Sequence, residues 1–202
     1  KRFFQSIDFY LKLFVAFVPA VIAGLLLKDT IDLLLENIMV VAVMLVIGGI
    51  VFLFIDKLAP GGAEEDDKPV SYKQALIIGI FQCLAMVPGV SRSASTIIGG
   101  MTQGLSRKFA AEFSFFLAVP TMFGATVKSL YDYVKDGGEF TAQHYQLFAI
   151  GNVVAFIVAI VAIRTFITFL SKNGFKAFGW YRIVVGGVII ALYTMGIEMQ
   201  MM

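Results

Sequence analysis

Ser91, Arg92 and Ser93 stand together in an apolar stretch directly after Pro88-Gly89-Val90, with Ser95 and Thr96 in the next turn. Hydroxyls beside a guanidinium suit an anion, a phosphate above all, because arginine presents a planar fork of donors. A helix beginning near Ser93 adds unpaired amides and the positive end of its dipole. At membrane depth an arginine costs at least about 2.5–3.5 kcal/mol on insertion scales unless it is paired. An anionic ligand would pair it. A buried carboxylate such as Glu112 would do so too, and the segment would then be only a kinked helix.

Other chemistry is poorly supported. Gly89-Val90-Ser91-Arg92-Ser93 lacks the second glycine of a nucleophile elbow. No Walker-type phosphate loop occurs. His144 is alone beside a loop and reads as an interfacial residue. Cys83 is the only cysteine, so neither an intrachain disulfide nor a zinc cluster can form, and it reads as a small buried residue. Glu112, Arg164 and Arg182 lie near span ends, where snorkelling is the ordinary behaviour. Asn152 is expected to hydrogen-bond between helices.

The elements that must hold the tip are membrane helices. Of 202 residues, 59% are hydrophobic, and the mean hydropathy is +0.87, above the usual share of soluble domains. The net charge of +2 comes with no basic cluster interleaved with aromatics, which argues against nucleic acid as a partner. Five runs can span: roughly Ile7–Leu27, Ile38–Ile55, Phe109–Leu130, Tyr145–Leu170 and Phe178–Met195. Pro19 and Pro120 fall inside two of them, which membrane helices tolerate. Lys28–Asn37 reads as a short polar connector. The run Gly61–Pro69 reads as an exposed charged loop. The chain opens with Lys1-Arg2-Phe3-Phe4, without an initiator Met or a cleavage site, so a native N-terminus is expected upstream.

Tyr72–Leu105 behaves differently. Its halves, Tyr72–Val87 and Ser93–Gly104, are about 24 Å and 18 Å long as helices. Neither crosses a hydrocarbon core about 30 Å thick. They form either one kinked span or a re-entrant hairpin. The hairpin puts Lys1, Arg2, Lys57, Lys68, Lys73, Arg107, Lys108, Lys172, Lys176 and Arg182 on or near one face, and only Lys28, Lys128 and Lys135 on the other. A single span divides them almost evenly. Short cytoplasmic loops carry excess Lys and Arg, which favours the hairpin, entering from the cytoplasm, with the C-terminus outside.

These residues resemble the bacterial undecaprenyl-diphosphatase family, also called bacitracin-resistance proteins. The resemblance rests on Phe81-Gln82-Cys83-Leu84-Ala85 followed by Pro88-Gly89-Val90-Ser91-Arg92-Ser93. It extends to Ser71-Tyr72-Lys73-Gln74-Ala75, Gly99-Gly100-Met101, Ala111-Glu112-Phe113-Ser114-Phe115, and Phe17-Val18-Pro19-Ala20-Val21. It implies an all-α polytopic bundle built from inverted repeats, each a re-entrant hairpin followed by spans. Residues 71–202 would be the second repeat, and residues 1–70 the last two spans of the first. It implies hydrolysis of undecaprenyl diphosphate to the monophosphate, in the bacterial cytoplasmic (inner) membrane, recycling the carrier for cell-wall synthesis. Membrane lipids and the polyprenyl diphosphate are the implied partners, and a homodimer is compatible with the family.

The resemblance carries over Arg92, Ser91 and Ser93 as catalytic residues, with Arg92 the diphosphate clamp. Gly89, Arg92, Ser93 and Thr96 would bind substrate. A divalent cation, Mg²⁺ or Ca²⁺, is implied, with no ligand assigned in this chain. Two departures stand out. The family's first signature, rich in glutamate and carrying a Ser-Ser-Thr-x-His-type stretch, has no match here. Ala94 replaces a usual glycine and is expected to crowd the turn. A lipid or anion transporter using the same tip, an acid-phosphatase-like enzyme and an inactive fragment of the phosphatase are the competing readings. The acid-phosphatase type needs two histidines, and only His144 exists.

Overall fold

The structure, a computed structural model, describes residues 7–35, 37–59, 61–63 and 69–196. Lys1, Arg2 and Lys68, which entered the charge argument, lie outside the described residues, as does the chain end. The helices are α1 (Ile7–Leu26), α2 (Lys28–Leu35), α3 (Ile38–Leu58), α4 (Tyr72–Cys83), α5 (Arg92–Thr102), α6 (Arg107–Lys135), α7 (Ala142–Asn173) and α8 (Lys176–Thr194). Five of them, α1, α3, α6, α7 and α8, are long and apolar enough to cross a membrane. These are the five expected spans, with Pro19 and Pro120 inside α1 and α6. The chain is therefore an all-α, multi-pass membrane protein.

Lys28–Leu35 is helical rather than an irregular connector. Ile31 and Leu34 recur on one side and are half-buried while Asp29 is exposed, a short amphipathic pattern. The amide of Ile31 donates to the carbonyl of Leu27 at 2.9 Å, so only a bend separates α1 from α2. Asn37 then caps α3, its side-chain oxygen accepting from the amides of Met39 and Val40.

The two short halves fold back on each other as a helical hairpin, not as one kinked rod. Gln74, at the start of α4, donates from its side chain to the Gln103 carbonyl at 3.0 Å, just past the end of α5. Both ends of the hairpin therefore lie together. Further contacts gather at the same end of the bundle. Tyr72 donates to Asp8 at 2.9 Å, and Asp8 also pairs with the buried Lys12. Asp56, at the end of α3, pairs with Arg107 at 2.9 Å and accepts the Phe175 amide at 3.0 Å. This end carries Lys57, Lys73, Arg107, Lys108, Lys172 and Lys176, and is called the basic end below. Lys28 and Lys128 mark the opposite end.

Asp56 thus ties the ends of α3 and α7 to the start of α6. Its side chain and that of Arg107 are 15% and 23% exposed, so solvent screening is limited. Asp56→Ala is expected to cost about 1.5–3 kcal/mol, the range for losing hydrogen bonds to a charged group. Asp56→Asn, which keeps an acceptor for Phe175, should cost less. Equilibrium unfolding in detergent checks both, and equal stability of all three proteins would refute the role.

Close packing comes from small residues, as expected where lipid removes most of the hydrophobic drive between helices. A methyl built on Gly79 would lie 2.3 Å from the Ala16 carbonyl, so α4 runs against the backbone of α1. Methyls on Gly49 and Gly179 would each meet the other's carbonyl, at 2.7 and 2.9 Å, which seats α3 against α8. Phe9, Ile97, Phe113 and Leu117 fill the centre and are fully buried. Phe9 meets Phe113 edge-on at 6.0 Å. By contrast, only 6% of the α7 span is buried. Asn152 on that helix is exposed and donates to the Phe148 carbonyl of its own helix at 2.7 Å, not to a neighbour as expected, because no described helix covers it.

Candidate active site

The tip is built by a turn that the sequence encodes directly. After α4 a single 3₁₀ turn, Leu84–Met86, tightens the chain. Val90 then donates its amide to the Val87 carbonyl at 3.1 Å across Pro88-Gly89. Gly89 has φ +86°. Proline second and a positive-φ glycine third are the residues that a type II turn requires. Gly89 also has no room for a side chain, since a methyl there would lie 2.5 Å from the Val41 carbonyl.

Ser91 caps α5. Its hydroxyl oxygen accepts the Ala94 amide at 3.4 Å, and the first intrahelical bond runs from the Ser95 amide to the Ser91 carbonyl at 3.0 Å. The helix therefore begins one residue earlier than the expected start at Ser93. The amides of Arg92 and Ser93 precede the first intrahelical bond, as the leading amides of any helix do. Ser93 Oγ lies 3.5 Å from Ser91 Oγ. The Ala94 methyl is 95% buried and joins the apolar core, so it packs below the turn.

Arg92 faces a cavity of about 560 Å³ that it shares with Gln82, Thr121, Lys28 and Lys128. Its Nη1 is buried and has no hydrogen-bond partner among the described residues. The Oε1 of Gln82 is in the same condition, while Gln82 Nε2 reaches Thr121 Oγ1 at 3.4 Å. Glu112 does not fill the role of partner: it sits on α6 toward the basic end, about 13 Å along the axis from Thr121 at 1.5 Å per residue. Asp32, Lys28 and Lys128 line the cavity's outer part, where Lys128 also pairs with Asp132 at 2.6 Å. A methyl on Gly24 would lie 3.6 Å from Met86 Cε, so the hairpin reaches nearly to the far end of α1. The tip is thus past the middle of the bundle, and the cavity leads from it toward the end opposite the basic one.

Thr96 does not share this cavity. It is 1% exposed, donates back to the Arg92 and Ser93 carbonyls at 3.1 and 3.0 Å, and lies 2.6 Å from Ser114 Oγ. The hydroxyl is engaged between these carbonyls and Ser114, which fastens α5 to α6. Arg182, expected to snorkel, instead turns inward and donates to the Gly89 carbonyl at 2.5 Å. Gln82 and Thr121 were not singled out as site residues. Gln82 lies on the motif-bearing strip, but Thr121 carries no local signal. His144 is engaged in the capping box of α7 with Thr141, in keeping with an interfacial position.

Five spanning-length helices around a short helical hairpin whose tip carries Arg92 define a class: multi-pass α-helical membrane proteins. The model of the family described as bacitracin resistance protein BacA matches residues 2–188, and the chain belongs to that family. It is similar to the undecaprenyl-diphosphatase of Flavobacterium johnsoniae, with 60% identity over 195 residues, covering 96% of this chain and 73% of the relative. The undecaprenyl-diphosphatase of Porphyromonas gingivalis is 53% identical over 201 residues, covering 98% and 71%. Undecaprenyl-diphosphatase 1 of Clostridioides difficile is 45% identical over 189 residues, covering 94% and 68%.

Proposed function

We infer that this chain is a lipid-diphosphate phosphatase. It hydrolyses undecaprenyl diphosphate to undecaprenyl phosphate and inorganic phosphate, which returns the carrier to cell-wall synthesis. The observation that carries this reading is Arg92 at the start of α5, whose side chain lines a mainly apolar cavity and whose Nη1 is buried with no hydrogen-bond partner among the described residues. A polyprenyl diphosphate matches both parts, since its head is an anion and its tail is hydrocarbon.

In this reading the terminal phosphate lies against Arg92 and the amides of Arg92 and Ser93. Ser91 and Ser93 donate to its oxygens. Water adds to the terminal phosphorus and the bond to the bridging oxygen breaks, leaving the monophosphate on the lipid. Charge gathers on the equatorial and leaving oxygens, where fixed donors act most strongly. The divalent cation that the family resemblance implies does not fit the described residues alone. Among them no group of three or more His, Cys, Asp or Glu side chains is placed to hold one.

The basic end is assigned to the cytoplasm by the excess of Lys and Arg in its loops. The helical construction points to the cytoplasmic membrane rather than the outer membrane, whose spanning proteins are β-barrels. The cavity then opens outward. The hairpin with the three spans after it forms one repeat of an inverted pair, with residues 1–70 in the other. A homodimer would cover part of α7.

Release of inorganic phosphate from undecaprenyl diphosphate in detergent tests the reading against a transporter, because micelles offer no second compartment. Multiple turnover by the purified full-length protein is the expected result. Tight binding without phosphate release would overturn the enzyme reading.

A further inference from the structure

We propose that Arg182 is a positioning residue for this hydrolysis, holding the re-entrant turn so that Arg92 and the α5 amides are aimed at the diphosphate. The inference rests on the phosphatase reading. Arg182 lies on α8, away from the tip in sequence. Its Nη2 donates to the Gly89 carbonyl at 2.5 Å and to the Met44 carbonyl of α3 at 3.4 Å. Its guanidinium carbon lies 5.2 Å from the centre of the Phe52 ring, a cation–π distance. One side chain thus joins α8, α3 and the turn.

The placement is unusual for a residue that only packs helices. α3 and α8 already meet backbone to backbone through Gly49 and Gly179, and again where Gly186 faces the Ala42 carbonyl. An apolar residue would serve that contact without the cost of an arginine in the bilayer. Instead the Nε of Arg182 is buried without a partner among the described residues, and the guanidinium's hydrogen bonds go to carbonyl oxygens. The bond to Gly89 falls three residues before Arg92, on the one turn whose geometry sets the direction of α5. Gly48 leaves the space that the guanidinium uses, since a methyl there would lie 2.7 Å from Nη2.

Two variants separate positioning from simple support. Arg182→Met removes the donor and keeps an apolar stem. Gly48→Ala leaves Arg182 in place but pushes on the far end of a flexible side chain, which can shift without disturbing the helices. Each is expected to lower kcat about 10- to 100-fold, the scale for a misplaced reacting group, with KM within about threefold. Arg182→Lys, whose ammonium still donates to Gly89, should recover most of the rate. Hydrogen exchange of residues 84–96 should quicken at least about tenfold in Arg182→Met, reflecting local opening, with the rest of the bundle unchanged.

Wild-type kcat in Arg182→Met and Gly48→Ala would overturn the proposal, whether or not the tip exchanges faster. Loss of kcat with unaltered tip exchange would overturn it as well. Failure of the wild-type protein to release phosphate would instead overturn the phosphatase reading, and the positioning role with it. In that case faster tip exchange in Arg182→Met would still identify the arginine as a clamp on the turn.

Discussion

Arg92→Lys is expected to lower kcat for phosphate release from undecaprenyl diphosphate by about 10²- to 10³-fold, the scale seen when one fixed donor to a developing charge is removed. The reason lies in the shape of the donor. Arg92 lines a cavity walled largely by apolar groups, and its buried Nη1 has no hydrogen-bond partner among the described residues. A guanidinium can present two parallel N–H groups to two phosphate oxygens. An ammonium has the same charge but no planar fork, and it is more strongly hydrated. Lysine should therefore keep part of the binding and lose most of the rate. The helix beneath is independent of the exchange, because Ser91 caps it and Thr96 fastens it to Ser114. Folding of the variant should be close to that of wild type. A steady-state assay on protein of matched thermal stability checks the prediction, and a kcat within threefold of wild type would remove the clamp from the mechanism.

Gly89→Ala should be nearly as damaging, by a different route. The residue sits at φ +86°, where an added Cβ costs about 1–2 kcal/mol for an L-residue. The new methyl would also lie 2.5 Å from the Val41 carbonyl. Backbone cannot yield as a side-chain tip can, so the turn itself must move. Moving it carries Arg92 along and breaks the bond from Arg182 to the Gly89 carbonyl. A displacement of about 1 Å in a reacting geometry is worth about 10²-fold in rate. The expected result is a loss of about that size together with a lower melting temperature in detergent. Full activity at full stability would mean that the turn does not set the site.

The two variants draw on features of unequal visibility. The five spans were legible because each is a run of about 20 apolar residues, a length that the bilayer imposes. The break at Pro88-Gly89 was legible because those two residues demand a turn wherever they stand. Charge counting then chose the hairpin over a kinked span, and the contact between Gln74 and Gln103 agrees. Direction is what local sequence does not set. Thr96 follows the motif, yet its hydroxyl turns back into the bundle toward Ser114. Spacing alone cannot say which side of a short helix meets a cavity. Arg182 showed the same limit, since a snorkelling arginine and an inward one have the same sequence context. Lys28–Leu35 was missed as a helix because its polar residues outweigh a short amphipathic pattern. Gln82 and Thr121 meet only through the packing of α4 against α6, a relation between distant positions that no local pattern contains.

The central claim is that the tip of the re-entrant hairpin seats a lipid diphosphate through Arg92. Equilibrium binding of a methylene-bridged polyprenyl diphosphonate, which cannot be hydrolysed, tests it without reference to turnover. The full-length protein should bind the analogue, and Arg92→Gln should bind it at least about 10-fold more weakly, as loss of a charge-assisted hydrogen bond of about 1.5–3 kcal/mol requires. Equal affinity of the two proteins for the diphosphonate would contradict the claim and place the head group elsewhere.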